Sequence, residues 1–105
     1  MTATGVDLVA QRVRDYEVVI ILSPEATEEE LKGVLERIDA WITERAGAIK
    51  DRDIWGLKRF AFPIKKFTEG NYSLTKFSMD TRMAQEFDRY LKASEDVIRS
   101  LVVKL

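Results

Sequence analysis

The first block of apolar positions, Val18-Val19-Ile20-Ile21-Leu22, follows Tyr16 and Glu17 and is β-branched up to Leu22. It is too short for a helix and suits a central strand with both faces covered, so a strand is predicted over 16–22, ended by Ser23-Pro24. The period then changes. Leu31, Val34, Leu35, Ile38, Trp41 and Ile42 fall on one helical face, with Glu36, Arg37, Asp39 and Glu44 off it. Thr27 with Glu30 three positions on is a capping box, and Glu28 and Glu29 favour the positive end of the helix dipole. Gly47 stands where a left-handed C-terminal cap is expected, which predicts a helix over 27–46.

Period two returns over 48–65, with a bend expected at Trp55-Gly56, since glycine inside a strand pattern suggests a bulge. Beyond the bend the alternation puts Phe60, Phe62 and Ile64 on one face and Arg59, Ala61 and Lys65 on the other. Pro63 cannot donate to a ladder and marks an edge strand. Lys66 to Asn71 reads as a loop turning at Gly70-Asn71, and Tyr72 to Met79 as the third strand. Asp80 and Thr81 are candidate N-caps for a helix over 81–92, striped by Met83, Phe87, Tyr90 and Leu91. After a loop, Val97 to Lys104 is the fourth strand.

The order β-α-β-β-α-β, with right-handed crossovers, predicts an α+β, ferredoxin-like fold: a four-stranded antiparallel sheet with two helices on one face. The first and third strands are then central, the fourth lies beside the first, and the second lies outside the third. Residues 1–13 read as a flexible N-terminal extension, in which Leu8, Val9 and Val13 are able to form part of a short helix, and 14–105 as the domain.

Val18, Ile20, Leu22, Phe60, Phe62, Ile64, Phe77, Met79 and Val102 are expected to face the helices; in the third strand this parity also turns Ser73 and Thr75 inward, which leaves a shift of one residue there as the alternative. The other face then carries Glu17, Val19, Ile21, Arg59, Ala61, Tyr72, Leu74, Lys76, Arg99, Leu101 and Val103. No third helix covers it, yet Val19, Ile21, Leu74, Leu101 and Val103 form a contiguous apolar patch there. Such a patch points to a protein partner. A homodimer through this face, or residues 1–13 folded over it, are the competing occupants.

Composition narrows the chemistry. The 105 residues form one domain able to bury a core. With neither Cys nor His, disulfides, thiolate metal sites and Ser-His-Asp or Cys-His catalysis are excluded. There is no Walker loop or GxGxxG, and Glu28-Glu29-Glu30 point in different directions on a helix, which suits dipole charging better than a metal. No cofactor and no small-molecule substrate are indicated. No apolar run reaches a membrane span, so a cytoplasmic protein is expected. The net charge of −1 argues against nucleic-acid binding by bulk field, but not by a local patch. Lys58-Arg59-Phe60-Ala61-Phe62 looks like part of an RNA recognition motif, yet lacks its second-position glycine and sits on the wrong strand.

Several spaced motifs nevertheless agree in order. Arg14-Asp15-Tyr16-Glu17 opens the domain, followed by the acidic start of the first helix. Gly56-Leu57-Lys58-Arg59-Phe60-Ala61-Phe62-Pro63-Ile64-Lys65-Lys66 comes next, then Gly70 and Tyr72. Glu95-Asp96-Val97-Ile98-Arg99 and Val102-Val103-Lys104 close the chain. From Arg14 to Lys104 this resembles the bacterial small-subunit ribosomal protein S-six family. Phe60 stands for a usual Leu and Phe62 for a usual Tyr.

The resemblance implies a non-enzymatic, ribosome-bound protein. It would pair with ribosomal protein S-eighteen and bind the central domain of small-subunit (16S) ribosomal RNA by backbone and shape. Carried over by position, the RNA-binding candidates are Arg14, Tyr16, Lys58, Arg59, Lys65, Lys66 and Arg99. A stand-alone ferredoxin-like regulatory or dimerisation module is the alternative.

Overall fold

Thr27 accepts from the Glu30 amide at 3.2 Å while the Glu30 carboxylate accepts from the Thr27 amide at 3.1 Å, so the capping box that starts the first helix is formed in both directions. The computed structural model describes residues 12–105. They are arranged as β1 (Val13–Leu22), α1 (Glu28–Glu44), β2 (Ala48–Ile64), β3 (Phe67–Asp80), α2 (Thr81–Ala93) and β4 (Val97–Lys104). The expected extension lies outside the described residues except at its end, where Val13 already opens β1.

The sheet has the order β2-β3-β1-β4, every neighbouring pair antiparallel, with β2 at an edge as Pro63 requires. Both helices pack on one face. Val18 and Ile20 from β1, Phe77 and Met79 from β3, Ile38 and Ile42 from α1, and Phe87 and Leu91 from α2 are fully buried there. The rings of Phe77 and Phe87 meet edge-on with centroids 5.2 Å apart. Ser73 and Thr75 do turn inward and are buried with them.

The end of α1 departs from expectation in an instructive way. The left-handed residue is Ala46, with φ 63°, and not Gly47. The Gly47 amide donates to the Ile42 carbonyl at 2.9 Å and the Ala46 amide to the Thr43 carbonyl at 3.2 Å, which together make a Schellman motif. Glycine at 47 answers a different need. A Cβ there would lie 2.6 Å from Ile42 Cγ2 and 2.9 Å from the Ser78 carbonyl oxygen.

The connection between β2 and β3 also differs. Gly70-Asn71 is not the turn: β3 begins at Phe67, and the chain reverses at Lys65-Lys66, whose φ angles are 49° and 72°. Two successive positive φ values between paired Ile64 and Phe67 give the hairpin twist that matches right-handed strands. Gly70 sits inside β3 and is buried, because a Cβ would come within 2.5 Å of Ile21 and 2.9 Å of the Phe60 ring. The glycine serves close packing and not reversal.

Candidate nucleic-acid and partner interface

Two positions slip in the pairing of β2 with β3 before the critical segment: Ile49 pairs with Phe77 but Asp51 with Lys76, and Ile54 pairs with Ser73 but Gly56 with Tyr72. At the second of these Gly56 adopts φ 81°. Each one-residue bulge transfers the side chains that follow to the opposite face: Ile49, Arg52 and Ile54 stand opposite the inward Phe77, Thr75 and Ser73, and from Gly56 on the even-numbered positions take the open face with Tyr72. The inward assignment of Phe60, Phe62 and Ile64 is therefore corrected. Phe60 lies against Tyr72 on the face away from the helices, centroids 6.0 Å apart, and Ile64 lines a shallow depression there with Val19, Tyr72 and Leu101. Phe62 projects into solvent at 79% exposure. The same flip puts Lys58 opposite Gly70 on the open face and Arg59 opposite Glu69 on the other, reversing the expectation for Arg59.

Pairing of β1 with β3 stops at Leu22 and Asn71, so residues 58–70 run past the sheet as a two-stranded arm. That arm holds Lys58, Arg59, Lys65 and Lys66 against Glu69 alone, in a chain whose net charge is −1. All four cations are exposed. The arm thus carries a net charge of +3 (four cations less Glu69), and the remainder of the chain −4 (−1 less +3).

Arg99 joins this end of the sheet, because it pairs with Ile21 across β4 and β1. Arg14 does not. It is exposed on β1 opposite Met79, eight residues of strand from Leu22, or about 26 Å at the rise of an extended chain. Tyr16 is in the core at 5% exposure, its ring stacked on Phe77 with centroids 5.7 Å apart. Burial pushes its phenol above the ordinary value of 10.0, with Arg14 opposing and Asp80 adding to the shift.

On the open face the register sets Leu74, Val19 and Leu101 in one cross-strand row, with Tyr72, Ile21 and Arg99 in the next and Lys76, Glu17 and Val103 on the other side. Leu101 is 59% and Val103 43% exposed. Val19 and Leu74 are half-buried between their neighbours. Ile21 is covered, since it and Phe60 both crowd Gly70. Four of the five expected patch residues thus present an apolar surface, and the fifth lies beneath it.

Sequence reasoning missed the aromatic series on this face, in which Trp55 stacks on Tyr72 with centroids 6.3 Å apart and Phe60 follows. The bend expected at Gly56 is present, but it does not by itself say on which face the alternation resumes; the pairing of Gly56 with Tyr72 puts Phe60 on the open one. Arg52 was also missed. It reaches across from β2 to Asp39 on α1 and to Thr75 on β3, so it is a structural cation and not a member of the basic surface.

Among the described residues no group of His, Cys, Asp or Glu is placed to hold a metal, and no helix is long and apolar enough to cross a membrane.

The family model described as "Ribosomal protein S6" matches residues 15–104. The chain is 40% identical over 92 residues to the small ribosomal subunit protein bS6 of Carboxydothermus hydrogenoformans, covering 88% of this chain and 96% of that one. It is also 40% identical over 92 residues to the protein of the same name from Thermoanaerobacter pseudethanolicus, covering 88% and 97%. Among solved structures, the crystal structure of 30S ribosomal protein S6 from Thermotoga maritima superposes with a TM-score of 0.82 at 33% identity, covering 89% of this chain and 88% of that one.

Proposed function

We propose that this chain, which belongs to the ribosomal protein S6 family, is a structural component of the small ribosomal subunit that binds the central domain of 16S ribosomal RNA together with ribosomal protein S-eighteen. Family membership makes it a ribosomal RNA-binding protein and not an enzyme. The finer reading rests on one observation, the protruding arm that carries Lys58, Arg59, Lys65 and Lys66 beside a sheet face left apolar. Cations on a ribbon clear of the acidic body reach phosphates without bringing that body's charge with them. Arg99 extends this surface from β4, whereas Arg14 stands apart at the far end of β1 as a second contact, and Tyr16, whose ring is in the core, serves the fold. The face bearing Val19, Leu74, Leu101 and Val103 is assigned to the partner protein, for which uncovered apolar rows are suited.

The test is binding of a central-domain RNA fragment by the chain alone and with S-eighteen present. Weak binding alone and much tighter, salt-dependent binding of the pair is expected. Equal affinity with and without S-eighteen overturns the partnership, and absence of the chain from purified small subunits overturns the assignment as a whole.

A further inference from the structure

Phe62 is the most exposed of the large hydrophobic side chains among the described residues, at 79%. The aromatic contacts at the base of the arm run from Trp55 to Tyr72 to Phe60 and do not include it. Its backbone is also irregular. Arg59 pairs with Glu69 and Ile64 with Phe67, so residues 60–63 stand opposite Thr68 alone. An insertion of this kind bends the strand and re-aims its side chains. Pro63, next in the chain, has no amide to offer a ladder. The ring is thus held out on a bulge, with Lys58 and Arg59 a few residues before it and Lys65 and Lys66 a few after, all exposed.

A bare aromatic face on an arm that carries cations before and after it in the chain is complementary to an anion that itself has flat apolar faces. Duplex RNA does not offer one, because its bases are stacked on each other and its major groove is too narrow for side chains. An unpaired nucleotide does, and the phosphates beside it are the groups that lysines and an arginine on the same arm neutralise.

We propose that Phe62 is a stacking platform for an unpaired nucleobase, with the cations of the arm neutralising the phosphates on either side of it. This rests on the RNA-binding reading above and names the kind of RNA its arm takes: a loop, bulge or single strand. The ring supplies contact without reading sequence, since every base has a π-face.

The experiment measures binding of the full chain at low salt to oligoadenylate and to a blunt RNA duplex of equal length. Phe62→Ala is expected to weaken oligoadenylate binding by roughly 5- to 150-fold, leaving duplex binding and the salt slope unchanged. Phe62→Trp should keep the affinity, and its emission should be quenched on adding oligoadenylate. The exposed position leaves the fold intact in both variants. If Phe62→Ala holds oligoadenylate as tightly as the parent protein and both release it in salt, stacking is wrong while RNA binding stands. If no version binds either RNA, the RNA reading fails and stacking with it. If Phe62→Ala loses only its pairing with S-eighteen, the ring is a protein contact and the proposal is overturned.

Discussion

Arg52 on β2 grips Asp39 on α1 with both terminal guanidinium nitrogens, Nη1 donating to Oδ2 at 2.9 Å, while its Nε donates to Thr75 Oγ1 at 3.1 Å. The pair is largely shielded, the side chains 20% and 31% exposed. Thr75 is fully buried, so removing Arg52 leaves its hydroxyl without that partner as well as breaking a two-pronged ion pair. Arg52→Met is expected to cost about 2 kcal/mol, of the order lost with a charge-assisted hydrogen bond. For a chain of this size that is a fall in Tm of about 10 °C. RNA affinity measured below Tm should be unchanged, which separates this cation from those of the arm.

The Schellman turn after α1 places Ala46 at φ 63°, where a Cβ is strained. Ala46→Gly should therefore stabilise the protein by about 0.5 to 1 kcal/mol, less the entropy glycine adds to the unfolded chain. Gly47→Ala should do the reverse, because the new methyl meets the Ile42 side chain and two carbonyl oxygens. Urea midpoints of the two variants give the sign directly.

Charge reversal at Lys58 and Arg59 should weaken RNA binding. It should also flatten the salt dependence by about 0.7 in log–log slope for each phosphate of a single strand that is no longer neutralised. Both residues are exposed on the arm, so Tm should barely move. A large drop in Tm would make them structural instead.

Leu101→Glu changes a residue that is 59% exposed and should leave the free protein folded while abolishing pairing with S-eighteen. Val19→Glu should do the same from the middle of the same row, at some cost in stability because Val19 is half-buried. Pairing that survives both changes places the partner on another face.

Two carboxylates and one phenol set the expected pH dependence. Hydrogen bonds from the Arg82 side chain and backbone hold Asp80 below the usual carboxylate range, and those from the Thr27 backbone and side chain do so for Glu30. A depressed folded pKa means that stability is present above the unfolded value and lost as pH falls through the folded one, so both helix starts weaken in acid. Tyr16 is raised, by burial first, so its contribution is complete below pH 10.0 and declines as pH rises from there through its folded value. Tyr16→Phe should remove that alkaline loss, which thermal melts across the range would reveal.

The periods of the chain made most of the fold legible. Val18 to Leu22, the stripe from Leu31 to Ile42, and the capping pair Thr27 and Glu30 each pointed to one element, and Pro63 located the edge strand. The arm was less legible for a physical reason. A bulge costs one residue and changes the face of all that follow, and alternation alone does not say on which side of Gly56 the count restarts. Gly70 looks like a turn because glycine often is one, whereas here two lysines take the positive φ angles and the glycine answers to Ile21. Tyr16 stands in a motif that suggests RNA, but its ring belongs to the core.

The arm also bears on how the protein behaves before it meets any RNA. A ribbon that leaves its sheet exposes backbone donors and acceptors along both edges, a template for a second copy to add strand by strand. Pro63 interrupts that template, and the like charges of Lys58, Arg59, Lys65 and Lys66 repel another arm approaching edge to edge. The same residues proposed to hold phosphate therefore act as gatekeepers against aggregation, and replacing them by neutral side chains should shorten the time a concentrated solution stays clear.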